Sequence, residues 1–429
     1  KGNKRMKVLI VNTSEKTGGA ALAANRLKDA LNNNGVKAKM LVRDKLTDDI
    51  TVVGLSHPLR NQFYFLWERW CVFWYSHFSR KHLFEIDIAN AGVDITQLPE
   101  FKEADIIHLS WINQGMLSLK GIRKILDSGK PVVWTMHDIW PATGICHITL
   151  NCQRYQSYCG NCRLLPNGGS SHDLSYRVLH HKKEVLKRGN ISFVTCSKWL
   201  EKEARKSAIL SNQLIQTIPN PIDTHVFRPS DKRQARVRTK LPLDKKVILF
   251  ASQRIDNVNK GISYLIDACH KMVAENPEMR DEVVVAVLGG HSEGLQDMFD
   301  FKVYELGYVN DTRQIVDIYN ATDVFVLPSL SENLPNTIME AMACGVPCVG
   351  FKVGGIPEEI DHKKNGYVAE YRNADDLARG LHWVLEEAEY AELSVSAVGK
   401  VQRNYSQRSV AMQYIEVYNE AMALKSFHL

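Results

Sequence analysis

The chain has 429 residues, 45% of them hydrophobic, and its 54 basic and 48 acidic residues give a formal net charge of +6. This length predicts two domains of about 200 residues each rather than one core. The mild charge excludes a nucleic-acid-binding arm. The lack of a long apolar run or a signal-peptide core excludes a membrane-spanning chain, so we expect a cytoplasmic protein in reducing conditions.

The first half alternates apolar runs with helical segments, which is typical of a parallel sheet covered on both faces. An apolar run at 7–11 precedes Gly18 and Gly19 and an alanine-rich helix, the opening of a nucleotide-binding βαβ unit. Further strands are predicted at 38–42, 106–109, 132–135 and 191–196.

A cluster of prolines and polar residues at 218–229 predicts a linker, so we expect an N-terminal domain at 6–222 and a C-terminal domain at 223–405. The second half predicts strands at 247–251, 283–288, 324–327 and 346–351, and helices at 261–274, 312–321 and 335–344. A last helix at 406–426 is expected to pack back on the N-terminal domain. The predicted fold is α/β, with two Rossmann-like αβα domains facing each other across a cleft.

The segment 331–345 (SENLPNTIMEAMACG) carries the strongest chemical signal. Glu332 follows the strand at 324–327, and Glu340 lies on the next helix. Asn333 can cap that helix, Pro335 suits its first turn, and Gly345 ends it. The positive amino end of this helix is a site suited to a pyrophosphate.

Two cations accompany this segment. Arg254 and Lys260 come after the strand at 247–251, at the same predicted edge of the sheet. They could neutralise the charge that builds on a departing diphosphate. The alternative is that both are solvated loop charges and that Glu340 has no special role.

These residues resemble the signature of the retaining GT-B glycosyltransferases, in a form similar to glycosyltransferase family 4. The resemblance rests on Glu332 and Glu340 with seven residues between them, on Arg254 and Lys260, and on the run 353–358 (VGGIPE). Two details depart from the family's pattern: the Arg254 to Lys260 spacing is one residue longer, and Asn333 stands where glycine is common.

The resemblance implies a hexosyltransferase that takes a sugar from a nucleotide diphosphate donor such as a UDP-sugar. Glu332 would contact the transferred sugar, Glu340 the ribose, and Arg254 and Lys260 the diphosphate. The rest of the implied donor loop is Asn333, Leu334, Pro335 and Asn336. The donor's own phosphate would help to deprotonate the acceptor on the front face.

In the N-terminal half, His137 directly follows the strand at 132–135. The resemblance implies that His137 contacts the donor sugar as part of the catalytic set, that His108 supports the same pocket, and that Gly18 and Gly19 lie beside the donor phosphate. The alternatives are a histidine that caps the sheet end and glycines that serve only the turn. No Asp-x-Asp pair occurs in the sequence, so no catalytic metal or other catalytic cofactor is implied.

Four cysteines crowd into seventeen residues and suggest a structural zinc site, although two disulfides or free thiols remain alternatives. They are Cys146, Cys152, Cys159 and Cys162. The other cysteines stand singly among apolar residues and are expected in the core.

The stretch 61–84 holds ten aromatic residues and several cations. A buried packing helix is one interpretation. The other is an amphipathic surface that contacts lipid headgroups or a lipid-linked acceptor, at the inner face of a membrane.

We therefore expect transfer of sugar to a glycan or lipid-linked glycan during capsule, exopolysaccharide or lipopolysaccharide assembly, without nucleic-acid partners. A catalytically silent nucleotide-sugar-binding partner subunit is the alternative from another class. An epimerase or phosphorylase on the same scaffold is the rival enzyme.

Overall fold

The computed structural model describes residues 5–292 and 294–426. The described chain divides into two compact units, one formed by residues 5–221 and 410–426 and the other by residues 222–409. Each unit is built on a parallel sheet with helices beside it, so the predicted pair of Rossmann-like domains is confirmed.

The N-terminal unit contains a seven-stranded parallel sheet in the order β3-β2-β1-β4-β5-β6-β7. Its central strands are buried on both faces, as parallel sheets require. The strands are β1 (Lys7–Ser14), β2 (Lys37–Asp44), β3 (Val52–Gly54), β4 (Ile106–Leu109), β5 (Val132–Met136), β6 (Ile191–Thr195) and β7 (Leu214–Thr217).

Three of the six α-helices between β1 and β7 begin at good capping residues, Ser118, Asp173 and Ser197, whose side chains accept backbone N–H bonds. The six helices are α1 (Gly19–Asn33), α2 (Pro58–Tyr75), α3 (Pro99–Glu103), α4 (Leu119–Asp127), α5 (Leu174–Leu186) and α6 (Lys198–Arg205). Helix α2 contradicts the prediction of a buried packing helix, because Trp67, Trp70 and Trp74 are 47%, 50% and 57% exposed.

The C-terminal unit contains a six-stranded parallel sheet in the order β10-β9-β8-β11-β12-β13. The strands are β8 (Lys246–Arg254), β9 (Val283–Gly290), β10 (Lys302–Gly307), β11 (Val324–Leu327), β12 (Cys348–Phe351) and β13 (Gly366–Ala369). The adjacent strands β8, β11 and β12 matter most, because their carboxyl ends carry the candidate site.

The helices that follow the linker are α7 (Lys232–Thr239), α8 (Ile262–Glu275), α9 (Met279–Glu282), α10 (Thr312–Asn320), α11 (Asn336–Ala343), α12 (Ile356–Glu359), α13 (Ala374–His382), α14 (Tyr390–Asn404) and α15 (Gln407–Ser426). Along α15, Val410, Tyr414, Val417 and Tyr418 are buried in the same hydrophobic cluster as Ile10 of β1. Within the described ranges, no helix combines the length and the apolar character needed to cross a bilayer.

Candidate functional site

Helix α11, which follows the loop after β11, begins differently from the sequence prediction. Pro335 occupies the cap position of α11, and no side chain bonds to the first-turn amides from that position. The prediction that Asn333 caps the helix is therefore wrong. The backbone carbonyl of Asn333 instead accepts a hydrogen bond from the Gly355 N–H at 2.8 Å, which ties the loop to the one after β12. The predicted end is correct, since Gly345 follows the helix with a φ of +78°.

Lys260 and Glu332 are brought together at the carboxyl ends of β8 and β11. The Lys260 ammonium contacts Glu332 Oε1, and the two side chains are 30% and 12% exposed. The Leu330 N–H donates to the Asn259 carbonyl at 2.8 Å, which joins the two loops directly. Gly261 has a φ of +73°, and a Cβ there would lie 1.9 Å from the Pro328 carbonyl oxygen, so only glycine permits this approach.

A third loop, after β12, packs against the backbone of Glu332. Gly354 has a φ of +56°, and a Cβ at this position would lie 1.7 Å from the Glu332 carbonyl oxygen. The glycine run that the sequence singled out thus allows a close approach between backbones. Three loops from adjacent strands position one carboxylate and its lysine.

Glu340 lies on the buried side of α11, with only 6% of the residue exposed. Its Oε2 accepts a hydrogen bond from the Tyr319 hydroxyl at 2.9 Å. Burial together with this bond fixes the direction of the carboxylate. Leu334, in the loop before the helix, is also buried.

Arg254 differs from its predicted setting. It is the last residue of β8, which continues past the predicted end at 251, and its side chain is 63% exposed. The guanidinium donates to both carboxylate oxygens of Asp256, at 3.1 and 2.8 Å. Arg254 is thus directed toward a local surface partner in this structure, while Lys260 is directed toward Glu332.

Gly18 and Gly19 form the junction between β1 and α1. Gly18 is the cap residue of α1 with a φ of +91°, and Gly19 is the first helical residue. A Cβ on Gly18 would meet no atom within 4 Å. The backbone conformation, rather than crowding, accounts for glycine at this position.

His137 follows β5 and has two hydrogen-bonding neighbours. One ring nitrogen lies 2.9 Å from Ser110 Oγ and the other 3.5 Å from Cys196 Sγ. Burial lowers the pKa of His137 to about 4, despite the nearby Asp138 carboxylate, so the imidazole is neutral near pH 7. A neutral imidazole can exchange hydrogen bonds with a sugar hydroxyl without adding charge.

His108 lies on the neighbouring strand β4 and is completely buried. Its ring nitrogens contact the Tyr418 hydroxyl at 2.6 Å and Thr135 Oγ1 at 2.8 Å. His108 and His137 line one cavity of about 10 Å³, roughly the space of one water molecule. His108 therefore supports the wall behind His137, and its own ring nitrogens are engaged by protein groups.

Part of the C-terminal unit matches a known protein family. The family model described as "Glycosyl transferases group 1" matches residues 245–387, which include Arg254, Lys260, Glu332 and Glu340. A D-inositol 3-phosphate glycosyltransferase of Saccharomonospora viridis is 33% identical over 222 residues, which cover 49% of this chain and 51% of the relative. The C-terminal unit therefore matches the group 1 glycosyltransferases, and the chain has the GT-B fold.

Solved GT-B structures share the fold over nearly the whole chain. Sucrose-phosphate synthase of Thermosynechococcus elongatus has a TM-score of 0.68 and 19% identity, covering 98% of this chain and all of its own. Anabaena HepE, solved in complex with UDP-glucose, has a TM-score of 0.62 and 18% identity, covering 97% of this chain and all of its own. At such identities the likeness shows the fold alone. The chain spans about half the length of the first curated relatives it matches.

The N-terminal unit also contains a buried charged network that the sequence did not reveal. Asp138, beside His137, contacts His147 Nδ1 at 2.8 Å, and His147 Nε2 lies 3.3 Å from Asp87. Arg69 on α2 donates to Asp87 at 3.1 Å. The network thus links the aromatic helix to the loop that carries His137.

The protonation states in this network follow from its geometry. Burial raises the pKa of Glu68 well above its usual value, and the adjacent Asp87 carboxylate raises it further. Burial alone would lower the pKa of His147, but Asp138 and Asp87 raise it to about 10. Near pH 7 we therefore expect a charged His147 between two carboxylates.

The four clustered cysteines form no disulfide bond in the structure. Burial raises the pKa of Cys146 to about 12 and that of Cys159 to about 11. Among the described residues, no group of three or more His, Cys, Asp or Glu side chains could hold a metal ion. The zinc site at Cys146, Cys152, Cys159 and Cys162 stays a prediction, and its test is stoichiometric zinc in elemental analysis of freshly purified protein.

Proposed function

We propose that this protein is a retaining glycosyltransferase that moves a hexose-type sugar from a nucleotide diphosphate sugar to a glycan or lipid-linked glycan. The contact between Lys260 and Glu332 carries the proposal, because three strand-end loops converge to hold it. HepE, which shares the fold, was solved with UDP-glucose. We therefore propose a UDP-sugar as the donor and cell-surface polysaccharide, capsule or lipopolysaccharide assembly as the setting.

The proposed donor site lies at the amino end of α11. There the helix dipole favours the diphosphate, and the loop from Asn333 to Asn336 lies against it. Lys260 has three donor hydrogens, so it can hold Glu332 and a phosphate oxygen together. Arg254, once released from Asp256, would add a second cation at modest cost, because exposed ion pairs are weak.

The two glutamates have distinct proposed roles. Glu332, partly exposed and oriented by Lys260, accepts hydrogen bonds from hydroxyls of the transferred sugar. Glu340, whose carboxylate is oriented by the Tyr319 hydroxyl, accepts a hydrogen bond from the ribose. Neither role requires a metal ion, because the helix dipole and the cations neutralise the diphosphate.

We propose that residues of the N-terminal unit also contact the donor. His137, neutral and backed by Ser110, contacts the donor sugar, while the turn at Gly18 and Gly19 faces the donor phosphate. The bond between the anomeric carbon and the diphosphate breaks, and the nucleoside diphosphate is the leaving group. One of its phosphate oxygens takes the proton of the acceptor hydroxyl as the new glycosidic bond forms on the same face. The anomeric configuration is then retained.

A thermal-shift screen against UDP-, GDP- and dTDP-sugars tests donor binding. A donor at about 100 times its Kd stabilises the folded state by about 2.7 kcal/mol, so the melting temperature should rise with one class of donor. If none of these donors raises it, the donor site is wrong.

Product analysis separates the alternatives. A transferase releases the nucleoside diphosphate only in proportion to acceptor glycosylated, and NMR of the product shows the donor's anomeric configuration. An epimerase changes the donor sugar without acceptor, and a silent binding subunit binds donor but releases no nucleotide. Either of the last two results, or an inverted product, would contradict the proposal.

A further inference from the structure

Helix α2 reverses the usual pattern of a surface helix, because its buried side is mainly polar and its exposed side is apolar. Its buried residues are mainly polar or charged, namely Asn61, Glu68, Arg69 and Val72. Its exposed apolar residues recur at three- and four-residue intervals, which places them on one side of the helix. We call this side the aromatic face: Leu59, Phe63, Leu66, Trp67, Trp70 and Trp74.

The buried side is fixed firmly to the unit. Glu68 accepts backbone N–H bonds from Ile88, Ala89 and Gly115, at 3.0, 2.6 and 2.8 Å. Arg69 donates to the Ile86 carbonyl at 3.0 Å and to Asp87. These bonds satisfy most of the polar atoms of two side chains that would otherwise be costly to bury. The orientation that exposes the tryptophans is therefore specified by hydrogen bonds on the opposite side.

The aromatic face is also ordered by contacts among its own rings. Phe63 and Trp67 stack with their ring centroids 6.2 Å apart. Beyond the helix, exposed Phe78 packs edge-on against Trp74 at 5.3 Å and adopts a positive φ of 62°. A phenylalanine rarely adopts this backbone conformation. Here it accompanies the contact between the Phe78 and Trp74 rings. The exposed rings form a preorganised surface.

The charges around this face are one-sided. Between Pro58 and Phe84 the sequence contains one acidic residue, Glu68, and that residue is buried. The cations Arg60, Arg80 and Lys81 are exposed at the two ends of the region. The exposed carboxylate of Glu85 lies just beyond this stretch and is 3.1 Å from His82 Nδ1. An apolar face with exposed cations at its ends and no exposed carboxylate on the helix itself complements a surface that is apolar inside and anionic at its rim.

We propose that the aromatic face of α2 docks on an anionic lipid bilayer, with the helix lying in the plane of the headgroups. Tryptophan favours the interface between acyl chains and headgroups, and nearby cations add attraction to anionic lipids. The consequence of this docking rests on the proposed function. If the acceptor is lipid-linked, the same membrane surface would present it to the protein.

Vesicle flotation of the full chain tests the docking. Binding should be measurable on vesicles of phosphatidylglycerol and phosphatidylcholine, and at least roughly tenfold weaker on phosphatidylcholine alone. The double variant Trp70→Ser/Trp74→Ser should lose at least about tenfold in partitioning. The matched control is Trp199→Ser, since Trp199 is also exposed in the N-terminal unit but lies on α6, and it should bind like the wild type.

Charge reversal tests the electrostatic part. Arg80→Glu/Lys81→Glu should weaken binding by roughly tenfold or more, and added salt should weaken the wild type in the same direction. Lys202→Glu, at an exposed lysine of α6, should have little effect. Absence of vesicle binding, or binding that survives the tryptophan double variant, would overturn the proposal. So would equal binding to neutral vesicles.

Two further measurements separate the other outcomes. A dimer seen by light scattering that the tryptophan double variant abolishes, without vesicle binding by the wild type, would assign the face to a second copy of the chain and overturn the proposal. The thermal shift with nucleotide sugars should be unchanged in that variant. If the wild type binds vesicles but no nucleotide sugar, the proposed function is refuted and the docking proposal is still supported.

Discussion

Two ion-pair regions of the protein differ in how water reaches them. In the C-terminal unit, Lys260 and Glu332 form a pair between two loops and are both partly exposed. In the N-terminal unit, Arg69, Asp87 and His147 lie in a network whose carboxylates are fully buried at Asp87 and Glu68. The pair in the C-terminal unit is partly solvated, whereas the network in the N-terminal unit is buried.

This difference separates a binding role from a scaffold role. A partly solvated pair costs little to rearrange, so Lys260 can share its charge with a ligand phosphate. A buried network cannot lose a member without leaving an uncompensated charge in the interior. We therefore expect mutations in the first region to affect catalysis, and mutations in the second to affect folding.

The largest expected effect is on sugar transfer. Glu332→Ala and Lys260→Ala should each abolish transfer, because each removes a side chain that we propose holds the donor. The free energy of unfolding should change by no more than about 1 kcal/mol, the usual range for an exposed pair. Transfer is measured as nucleoside diphosphate released with acceptor present, and stability by urea denaturation.

The chain offers a matched control for these variants. Lys246 and Glu386 form another pair in the same unit, with side chains 37% and 29% exposed. Lys246→Ala should retain transfer at the wild-type rate and have a similarly small effect on stability. Near-normal turnover in Lys260→Ala or Glu332→Ala would show that the open pair is only a surface contact.

The next effect is on stability. Arg69→Met keeps the length of the side chain but leaves Asp87 without its guanidinium, and should lower the free energy of unfolding by about 3 to 5 kcal/mol. Tryptophan fluorescence during urea denaturation is a suitable probe, because all tryptophans except Trp383 lie in the N-terminal unit. A change as small as that of Lys124→Met, which breaks the exposed pair with Asp94, would contradict the scaffold role.

The sequence predicted the interior of both sheets but missed all four of their edge strands. The missed strands are β3, β7, β10 and β13, which end the two sheets. Edge strands pair on one side only and are partly exposed, so they need no continuous apolar run; β10 has no buried residue at all. The predicted central strands were found because burial on both faces demands such a run.

The candidate site shows the same limit. Lys260 and Glu332 could be predicted to meet, because each follows a strand of one parallel sheet. Asn333 is not at the predicted cap position, because α11 begins at Asn336 with Pro335 before it. The carbonyl of Asn333 bonds to Gly355 in another loop, a contact between loops that the local sequence does not show. The buried network combines Arg69, Asp87 and His147 from distant parts of the chain, and no spacing in the sequence announces such a contact.

The smallest expected effect is on the pH dependence of stability. It tests whether His108, like the buried network of the N-terminal unit, is closed to water. Burial, with a smaller contribution from His137, lowers the pKa of His108 to about 3 from the usual 6.5. A lowered histidine pKa means that the unfolded state binds the proton first. The stability contribution of His108 is therefore complete above pH 6.5 and is lost as the pH falls toward the folded-state pKa.

Between pH 6.5 and pH 5 this loss should amount to about 2 kcal/mol for His108. The variant His108→Gln can keep a hydrogen bond to Tyr418 or Thr135 but cannot titrate, so its urea stability should fall less over that interval, by about the same amount. His137, which shifts in the same direction, and His147, which shifts in the opposite one, are present in both proteins and cancel in the difference. Parallel pH profiles for the two proteins would mean that water reaches His108 and that the cavity behind His137 is open rather than closed.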